Sequence, residues 1–153
     1  MKTSSVIIPA FNEEKSICDL LDKLCPLATC HKWEVIIVND CSTDNTKTII
    51  SNYLLNTNIK LINNKVNKGY GGAIKEGIIA AVTDLVITID ADGQHELNDI
   101  EKMYNYFLEI DADMIVGSRM KQKDASYYRS IGKSLIRRFT KLIMPVNIED
   151  INS

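Results

Sequence analysis

The stretch "SSVIIPAFNEEKSICDLLDKLCPLATCHKWEVIIVND", residues 4 to 40, contains the pattern that decides the fold. It opens with a short apolar run, continues with apolar residues at helical spacing, and ends in a second apolar run. Runs that are apolar at every position are typical of strands buried on both faces. A strand, a helix and a second strand in this order predict a parallel βαβ unit.

The helix of this unit is predicted to begin at Asn12, because Asn is a preferred N-cap. Glu13 and Glu14 would then lie in the first turn, where the helix dipole favours acids. The apolar face of the helix would consist of Ile17, Leu20, Leu21 and Leu24.

The same alternation continues along the chain. Strands are predicted at 4–10, 33–39, 58–63, 84–90 and 112–118, and further helices within 42–55, 71–82 and 96–110. This order predicts an α/β fold with a mostly parallel central sheet and helices on both faces. In such sheets, ligands bind beyond the carboxyl ends of the strands.

The composition limits the class of protein. With 153 residues, 45% of them hydrophobic and 25% charged, the chain is expected to form one soluble globular domain. No run approaches the roughly 18 apolar residues of a membrane span, and the N-terminus lacks a signal-peptide core. The four cysteines, Cys18, Cys25, Cys30 and Cys41, form no CxxC pair, so we expect reduced thiols of a cytosolic protein and no zinc site.

The segment "DADGQHE" follows the predicted strand at 84–90. In extended backbone, Asp90 and Asp92 point to the same side, and two such charges repel unless a cation lies between them. Mg²⁺ or Mn²⁺ suits these carboxylates, and Gln94 adds a neutral oxygen. The alternative is a polar turn with Asp capping. His95 could act as a general base, but we expect it to hydrogen-bond a metal ligand.

Three further acids lie after the first two strands. Asp40 is expected to contact a ligand, for example a base or ribose, whereas Asp44 is expected to cap the next helix. Glu13 could either face a ligand or belong only to a helix turn.

The segment "NKGYGGAIKEG", residues 67–77, is rich in glycine and follows a predicted strand. It matches neither the dinucleotide pattern GxGxxG nor a Walker A loop. Its backbone amides could approach an anion, or the glycines could serve close packing.

The C-terminal part of the chain is basic. Residues 119–141 contain eight Lys or Arg and one acid, within a chain of formal charge −2. An amphipathic helix is predicted at roughly 127–144, with Arg129, Lys133 and Arg137 on one face. Such a face is either simply solvated or suited to phosphates and anionic membranes. Nucleic acid is not expected as a partner, because no aromatic stacking platform accompanies the charge.

Taken in order, five segments and the basic C-terminal part resemble family 2 glycosyltransferases of the GT-A fold, in particular the dolichol-phosphate mannose synthase-like group. The segments are "SVIIPAFNEEKSI", "EVIIVNDCSTDNT", "NKGYGGAIKEG", "VITIDADGQHE" and "DMIVGSRM". The resemblance implies a nucleotide site formed by Pro9, Ala10, Phe11, Glu13, Asp40, Lys68, Gly69, Asp90 and Ala91. It also implies Mg²⁺ or Mn²⁺ at Asp90, Asp92 and Gln94, catalytic roles for Asp92 and Arg119, and phosphate or acceptor contacts from Arg119, Arg129 and Lys133.

The function implied by the resemblance is inverting, metal-dependent transfer of a sugar from a GDP- or UDP-linked donor to a polyprenyl or dolichyl phosphate. A hydroxyl acceptor on a glycan or small molecule, or nucleotide-sugar binding without turnover, remain alternatives. We expect a cytoplasmic protein, peripheral at the cytoplasmic face of the membrane. The chain is expected to be one catalytic domain, with a core at 1–118 and the basic segment at 119–153, truncated before the acceptor-side segment of its relatives.

Overall fold

The computed structural model describes residues 3–54, 58–94, 96–110 and 112–117. In these ranges, strands and helices alternate along the chain. The strands are β1 (Ser4–Ala10), β2 (Glu34–Asn39), β3 (Ile59–Asn63) and β4 (Leu85–Thr88), and the helices are α1 (Ile17–His31), α2 (Thr46–Tyr53), α3 (Gly69–Ala80) and α4 (Leu97–Glu109). The predicted α/β class is confirmed.

The four strands form one sheet in the order β3-β2-β1-β4, and every neighbouring pair is parallel. Val6 of the central strand β1 lies opposite Val35 of β2 and Ile87 of β4. Because all strands run the same way, the loops that follow them meet at one edge of the sheet. We call this edge, formed by the loops 11–16, 40–45, 64–68 and 89–96, the carboxyl edge.

Helices cover both faces of the sheet. Val6 and Ile8 belong to a core cluster with α1, α2 and α4, whereas Ile7 packs on the other face against Ala73 of α3. All three β1 side chains are fully buried. This explains why β1 is apolar at every position from Val6 to Ala10, since the strand has no solvent-facing side.

The predicted start of the first helix is wrong. Asn12 has a left-handed backbone, with φ of 57°, and α1 begins only at Ile17 with Ser16 as its N-cap. Glu13 and Glu14 therefore precede the helix, in a turn closed by the N–H of Ser16 donating to the Glu13 carbonyl at 3.1 Å. Asn12 does not cap α1 because its side chain hydrogen-bonds the neighbouring loop instead.

The predicted fifth strand is not formed in the part of it that the structure describes. Residues 112–117 adopt no strand, and Met114 and Val116 are 76% and 75% exposed. An apolar run predicts a tendency toward burial, but a strand also needs a partner backbone, and no strand in the described ranges pairs with this run.

The chain divides into two compact units, Met1–Asp113 and Met114–Ser153, and the α/β sheet belongs to the first. Of the second unit, the structure describes residues 114–117, so the predicted basic helix at 127–144 lies outside the described residues. Each helix within the described ranges is too short or too polar to span a lipid bilayer.

Candidate active site

The loops after β1 and β2 are joined through Asn12. Its Oδ1 accepts the backbone N–H of Thr43 at 2.8 Å and the Thr43 hydroxyl at 3.3 Å. Its own N–H donates to the hydroxyl of Ser42 at 3.0 Å. Asn adopts the left-handed conformation at lower cost than most residues, because its short polar side chain can hydrogen-bond locally. Asn12 thereby fixes one loop against the other.

Asp44 ties the same two loops to the start of α2. One carboxylate oxygen accepts the N–H and the hydroxyl of Thr46, at 3.0 and 2.6 Å, and the other accepts the N–H of Glu14 at 3.1 Å. Burial acts to raise the pKa of Asp44, but the hydrogen bonds from Thr46 and Glu14 outweigh it and lower this pKa. Asp44 thus satisfies a backbone donor of the first turn of α2, as predicted, although the N-cap residue itself is Asn45.

Asp40 joins the end of β2 to the loop after β3. The residue is only 3% exposed. Its Oδ1 accepts the side-chain amide of Asn64 at 2.8 Å, and both carboxylate oxygens accept the backbone N–H of Lys68, at 2.9 and 3.0 Å. A carboxylate offers about four lone-pair positions, so these bonds leave acceptor capacity for a ligand. Asp40 has a structural role that the sequence did not reveal.

Lys68 and Gly69 form the start of α3. Lys68 is the N-cap, and Gly69 follows with a φ of 74°, a conformation that costs glycine little. The side chain of Asn67 accepts the N–H of Gly69 at 2.9 Å. The ammonium of Lys68 pairs with the carboxylate of Glu76, about two helix turns along α3. This hydrogen bond lowers the pKa of Glu76. The glycine-rich segment therefore begins as a strand-to-helix turn, held in place by side-chain acceptors, and continues as α3 from Gly69 onward.

Asp90 and Asp92 lie just past β4, at the carboxyl edge. The hydroxyl of Tyr70, from the first turn of α3, donates to Oδ1 of Asp90 at 2.7 Å. Burial, this hydrogen bond and the charges of both Asp90 and Asp92 raise the pKa of Tyr70 to about 12. Both carboxylates are thus close enough to act electrostatically on one hydroxyl. Oδ1 of Asp92 accepts the N–H of Gln94 at 2.9 Å within its own loop.

This pair of acids fits a hard divalent cation. Mg²⁺ and Mn²⁺ favour oxygen ligands, and Mg²⁺ is usually bound by one or two carboxylates together with substrate phosphates and water. Among the described residues, no group of three or more His, Cys, Asp or Glu side chains is arranged to hold a metal ion. Asp90 and Asp92 together supply two such carboxylates.

The other predicted site residues of the described ranges also lie at or beside the carboxyl edge. Pro9 and Ala10 end β1, where both are buried, and Phe11 follows with 47% of its surface exposed. Ala91 is buried between the two acids, and Glu13 accepts the hydroxyl of Ser16 at 2.6 Å. His95, Arg119, Arg129 and Lys133 lie outside the described residues.

Sequence reasoning missed the side chains that connect the loops. Asn12, Asn64 and Tyr70 each hydrogen-bond a residue 20 or more positions away in sequence. Nothing in their immediate sequence identifies these partners. The signal available was positional, since all three lie within a few residues of a strand end or in the glycine-rich turn.

His31 lies away from the carboxyl edge. It ends α1, just before β2 begins, stacks on Trp33 with ring centroids 4.6 Å apart, and pairs with Glu101 at 2.8 Å. A cavity of about 490 Å³ at the same end of the sheet is bordered by Trp33, Lys32 and Ile59. The described residues that line this cavity include no acid and no histidine. The paired acids follow β4 at the carboxyl edge, and they are therefore at the opposite end of the sheet from His31 and this cavity.

The fold and the order of these loops agree with a family model. Residues 5–150 match the model described as glycosyl transferase family 2. The chain belongs to this family, and the resemblance predicted from its sequence is confirmed.

Several curated relatives transfer sugars to polyprenyl phosphates, according to their names. A dolichyl-phosphate beta-glucosyltransferase of Trichomonas vaginalis is 33% identical over 133 residues, covering 79% of this chain and 41% of the relative. An undecaprenyl-phosphate 4-deoxy-4-formamido-L-arabinose transferase of Pectobacterium atrosepticum is 32% identical over 149 residues, covering 92% of this chain and 45% of the relative. The chain thus spans less than half the length of these relatives.

Solved structures show the same fold. TarS residues 1–349 of S. aureus superpose with a TM-score of 0.62 at 25% identity, covering 78% of this chain and 40% of TarS 1–349. A mannosyltransferase of Pyrobaculum calidifontis, solved with GDP-Man and Mn²⁺, superposes with a TM-score of 0.52 at 24% identity, covering 60% of this chain and 28% of that protein. The protein has the GT-A fold predicted from its sequence.

Proposed function

We propose that this protein transfers a sugar from a nucleotide-diphosphate sugar to a polyprenyl or dolichyl phosphate, with inversion at the anomeric carbon. The observation that carries the proposal is the position of Asp90 and Asp92. They follow β4, which pairs with the central strand β1, and a hydrogen bond from Tyr70 links Asp90 to the first turn of α3. Two acids of this kind, at the ligand-binding edge of a family 2 chain, suit a metal-bound diphosphate.

The nucleotide would lie over the loops after β1, β2 and β3. These loops are already tied together by Asn12 with Thr43 and by Asp40 with Lys68. A site held in place before binding loses less conformational entropy when its ligand arrives. Phe11, half exposed beside Asp40 along the same edge, offers an aromatic surface for the base.

At the reacting end, Asp90 and Asp92 would hold Mg²⁺ or Mn²⁺ next to the diphosphate. The bound metal would neutralise the charge that develops on the leaving nucleotide diphosphate. Asp92 would serve the reaction by holding the metal, with its orientation set by the N–H of Gln94. Arg119, Arg129 and Lys133 would bind phosphates of the donor or acceptor, Arg119 and Arg129 through bidentate hydrogen bonds.

A lipid phosphate is the acceptor that the relatives favour. The names of the Trichomonas vaginalis and Pectobacterium atrosepticum relatives both specify a polyprenyl-type phosphate. The oxygen of such a phosphate is already ionised near neutral pH, so attack on the sugar requires no strong general base. The protein would then work at the cytoplasmic face of the membrane.

The first test is isothermal titration calorimetry with UDP, GDP and their sugars, with and without Mn²⁺. We expect one nucleotide to bind and Mn²⁺ to strengthen its binding. Asp90→Ala and Asp92→Ala should remove the effect of Mn²⁺, because each deletes one of the two acids. The matched control is Asp113→Ala, which removes an exposed acid outside the loops of the carboxyl edge.

The second test follows transfer from the bound donor to a short-chain polyprenyl phosphate. Transfer to the lipid phosphate but not to free sugars would support the proposed acceptor. Binding of the donor without transfer or hydrolysis would indicate a binding domain instead. Failure of every nucleotide to bind, or equal binding by wild type and both variants in Mn²⁺, would contradict the proposal.

A further inference from the structure

Tyr70 connects the first turn of α3 with Asp90, one of the paired acids. Its hydroxyl lies 2.7 Å from Oδ1 of Asp90, although the two residues come from different elements, α3 and the loop after β4. The proposed function uses Tyr70 only as a link between α3 and Asp90, and it assigns the hydroxyl no role toward the metal. The question is what a tyrosine hydroxyl does when it donates to a carboxylate that is placed to bind a metal.

The position of Tyr70 is determined by its neighbours in the chain. Lys68 donates its N–H to Asp40, and the N–H of Gly69 donates to the side chain of Asn67 at 2.9 Å. The left-handed φ of Gly69 then turns the chain into α3 directly before Tyr70. The hydroxyl of Tyr70 thus projects from the start of α3, which two backbone hydrogen bonds hold in place. Its position relative to Asp90 is therefore well defined.

The two acids differ in how they are oriented. Asp92 is held by an N–H of its own loop, that of Gln94. Asp90 receives a hydrogen bond from a separate element, the hydroxyl of Tyr70 on α3. Carboxylates that bind metals are themselves commonly hydrogen-bonded, and loss of such a partner typically weakens metal binding about 10–100-fold.

We propose that Tyr70 is a positioning residue, which fixes the carboxylate of Asp90 for a divalent cation. This inference rests on the proposed function, because it takes Asp90 as a metal ligand. A hydrogen bond to an ionised acceptor is stronger than one between neutral groups, so the hydroxyl restricts rotation of the carboxylate. The ring of Tyr70 is 60% exposed, so water can partly replace the hydroxyl, and we expect an effect at the low end of the range.

The test compares wild type with Tyr70→Phe, which removes only the hydroxyl. Free Mn²⁺ is measured by electron paramagnetic resonance in the presence of the nucleotide that the protein binds. We expect the Kd for Mn²⁺ to rise about tenfold in Tyr70→Phe. Nucleotide affinity in EDTA should change much less than the Kd for Mn²⁺, because the hydroxyl bonds Asp90, whose main proposed role is toward the metal.

The matched control is Tyr106→Phe, which removes the hydroxyl of an exposed tyrosine on α4. It should leave both affinities at wild-type values. Thermal unfolding of both variants checks that the fold is retained, as expected for the loss of one hydroxyl from a ring that is mostly exposed.

The outcomes separate this inference from the proposed function. If Asp90→Asn loses Mn²⁺ binding while Tyr70→Phe retains the wild-type Kd, the inference is wrong and the metal site stands. If Tyr70→Phe weakens nucleotide binding equally in EDTA and in Mn²⁺, Tyr70 acts on the nucleotide and the inference is again wrong. If Asp90→Asn binds Mn²⁺ as wild type does, the proposed metal site itself is refuted.

Discussion

The carboxylate of Asp40 accepts the backbone N–H of Lys68 with both of its oxygens, at 2.9 and 3.0 Å. This contact, almost fully buried on the Asp40 side, holds the turn between β3 and α3 at the end of β2. Asp40, predicted from its sequence position to contact a ligand, thus also holds the neighbouring loop in place.

Asp40→Asn should therefore cost both stability and binding. The neutral amide replaces a charged acceptor and turns a donor toward the N–H of Lys68, so we expect a loss of about 1–3 kcal/mol in the free energy of unfolding. Urea titration measures this loss, and calorimetry should show weaker nucleotide binding. Asp113→Asn, at an exposed position, should change neither. Unchanged stability of Asp40→Asn would show that the loop does not depend on this contact.

The lowered pKa of Asp44 predicts a pH-dependent contribution to stability. A carboxylate whose pKa is lower in the folded than in the unfolded state stabilises the fold above its unfolded value, ordinarily 3.8, and loses this effect as the pH falls through the folded value. Asp44→Asn should thus be less stable than wild type at pH 7, by about 1 kcal/mol. The difference in the free energy of unfolding between wild type and Asp44→Asn should become smaller below pH 3.8. Urea unfolding at pH 7, 5 and 3 measures it, and a gap that widens toward pH 3 would contradict the assignment.

Gly77 of α3 lies against β1 with no room for a side chain. A methyl group at this position would come within 2.3 Å of Cγ2 of Ile7, a fully buried residue. Gly77→Ala should lower the free energy of unfolding by about 1–3 kcal/mol through overpacking. The control Gly71→Ala, in the same helix, meets nothing within 4 Å, so its stability should equal or slightly exceed that of wild type. Chemical denaturation of both variants decides whether α3 packs as closely as the structure shows.

Cys41 provides a chemical probe of the proposed nucleotide site without any mutation. It follows Asp40 directly, is partly buried, and its thiol lies 3.6 Å from the carbonyl of Lys65 in the next loop. Cys18 and Cys30 of α1 are exposed and serve as internal controls. With nucleotide at ten times its Kd, alkylation of Cys41 should slow about tenfold, because only the unbound fraction reacts. Mass spectrometry of the labelled peptides measures all the rates, and equal protection of Cys18 would indicate a general change in the protein.

The main elements of the fold could be predicted because their signals are local. The inner residues of β1 and β2, Val6–Ile8 and Val35–Val38, are all apolar. The buried residues Ile17, Leu20, Leu21 and Leu24 of α1 recur at helical spacing. The start of α1 could not be predicted. The side chain of Asn12 can cap its own helix or hydrogen-bond Thr43, and Thr43 is 31 positions away in the sequence. The run at 112–118 was misleading for a related reason, since apolar character does not supply a strand partner.

In the candidate site, too, some features could be predicted from local sequence and others depend on contacts between distant residues. The position of Asp90 and Asp92 just past a strand could be predicted from the apolar run that precedes them. The extended backbone expected between them is not formed, because β4 ends at Thr88 and Ala91 and Asp92 lie in a turn. The hydrogen bond from Tyr70 to Asp90 could not be predicted, because it depends on how α3 crosses from β3 to β4. Local sequence thus identifies the residue types that carry the chemistry, whereas the packing of helices on the sheet determines which residues orient them.

The sheet order has a consequence for how the protein folds. β1 and β2 are joined by a single helix, α1, but β1 meets β4 only after about 80 intervening residues, as in the pair Ser4 and Leu85. Contacts between distant parts of a chain form slowly, because a long loop must close before they contribute. We expect the β1–β2–β3 half, with Asn12 and Asp40 in place, to gain protection first in pulse-labelled hydrogen exchange during refolding. The half that carries Asp90 and Asp92 would be completed last, so the paired negative charges would come together only on an edge that the rest of the chain has already built.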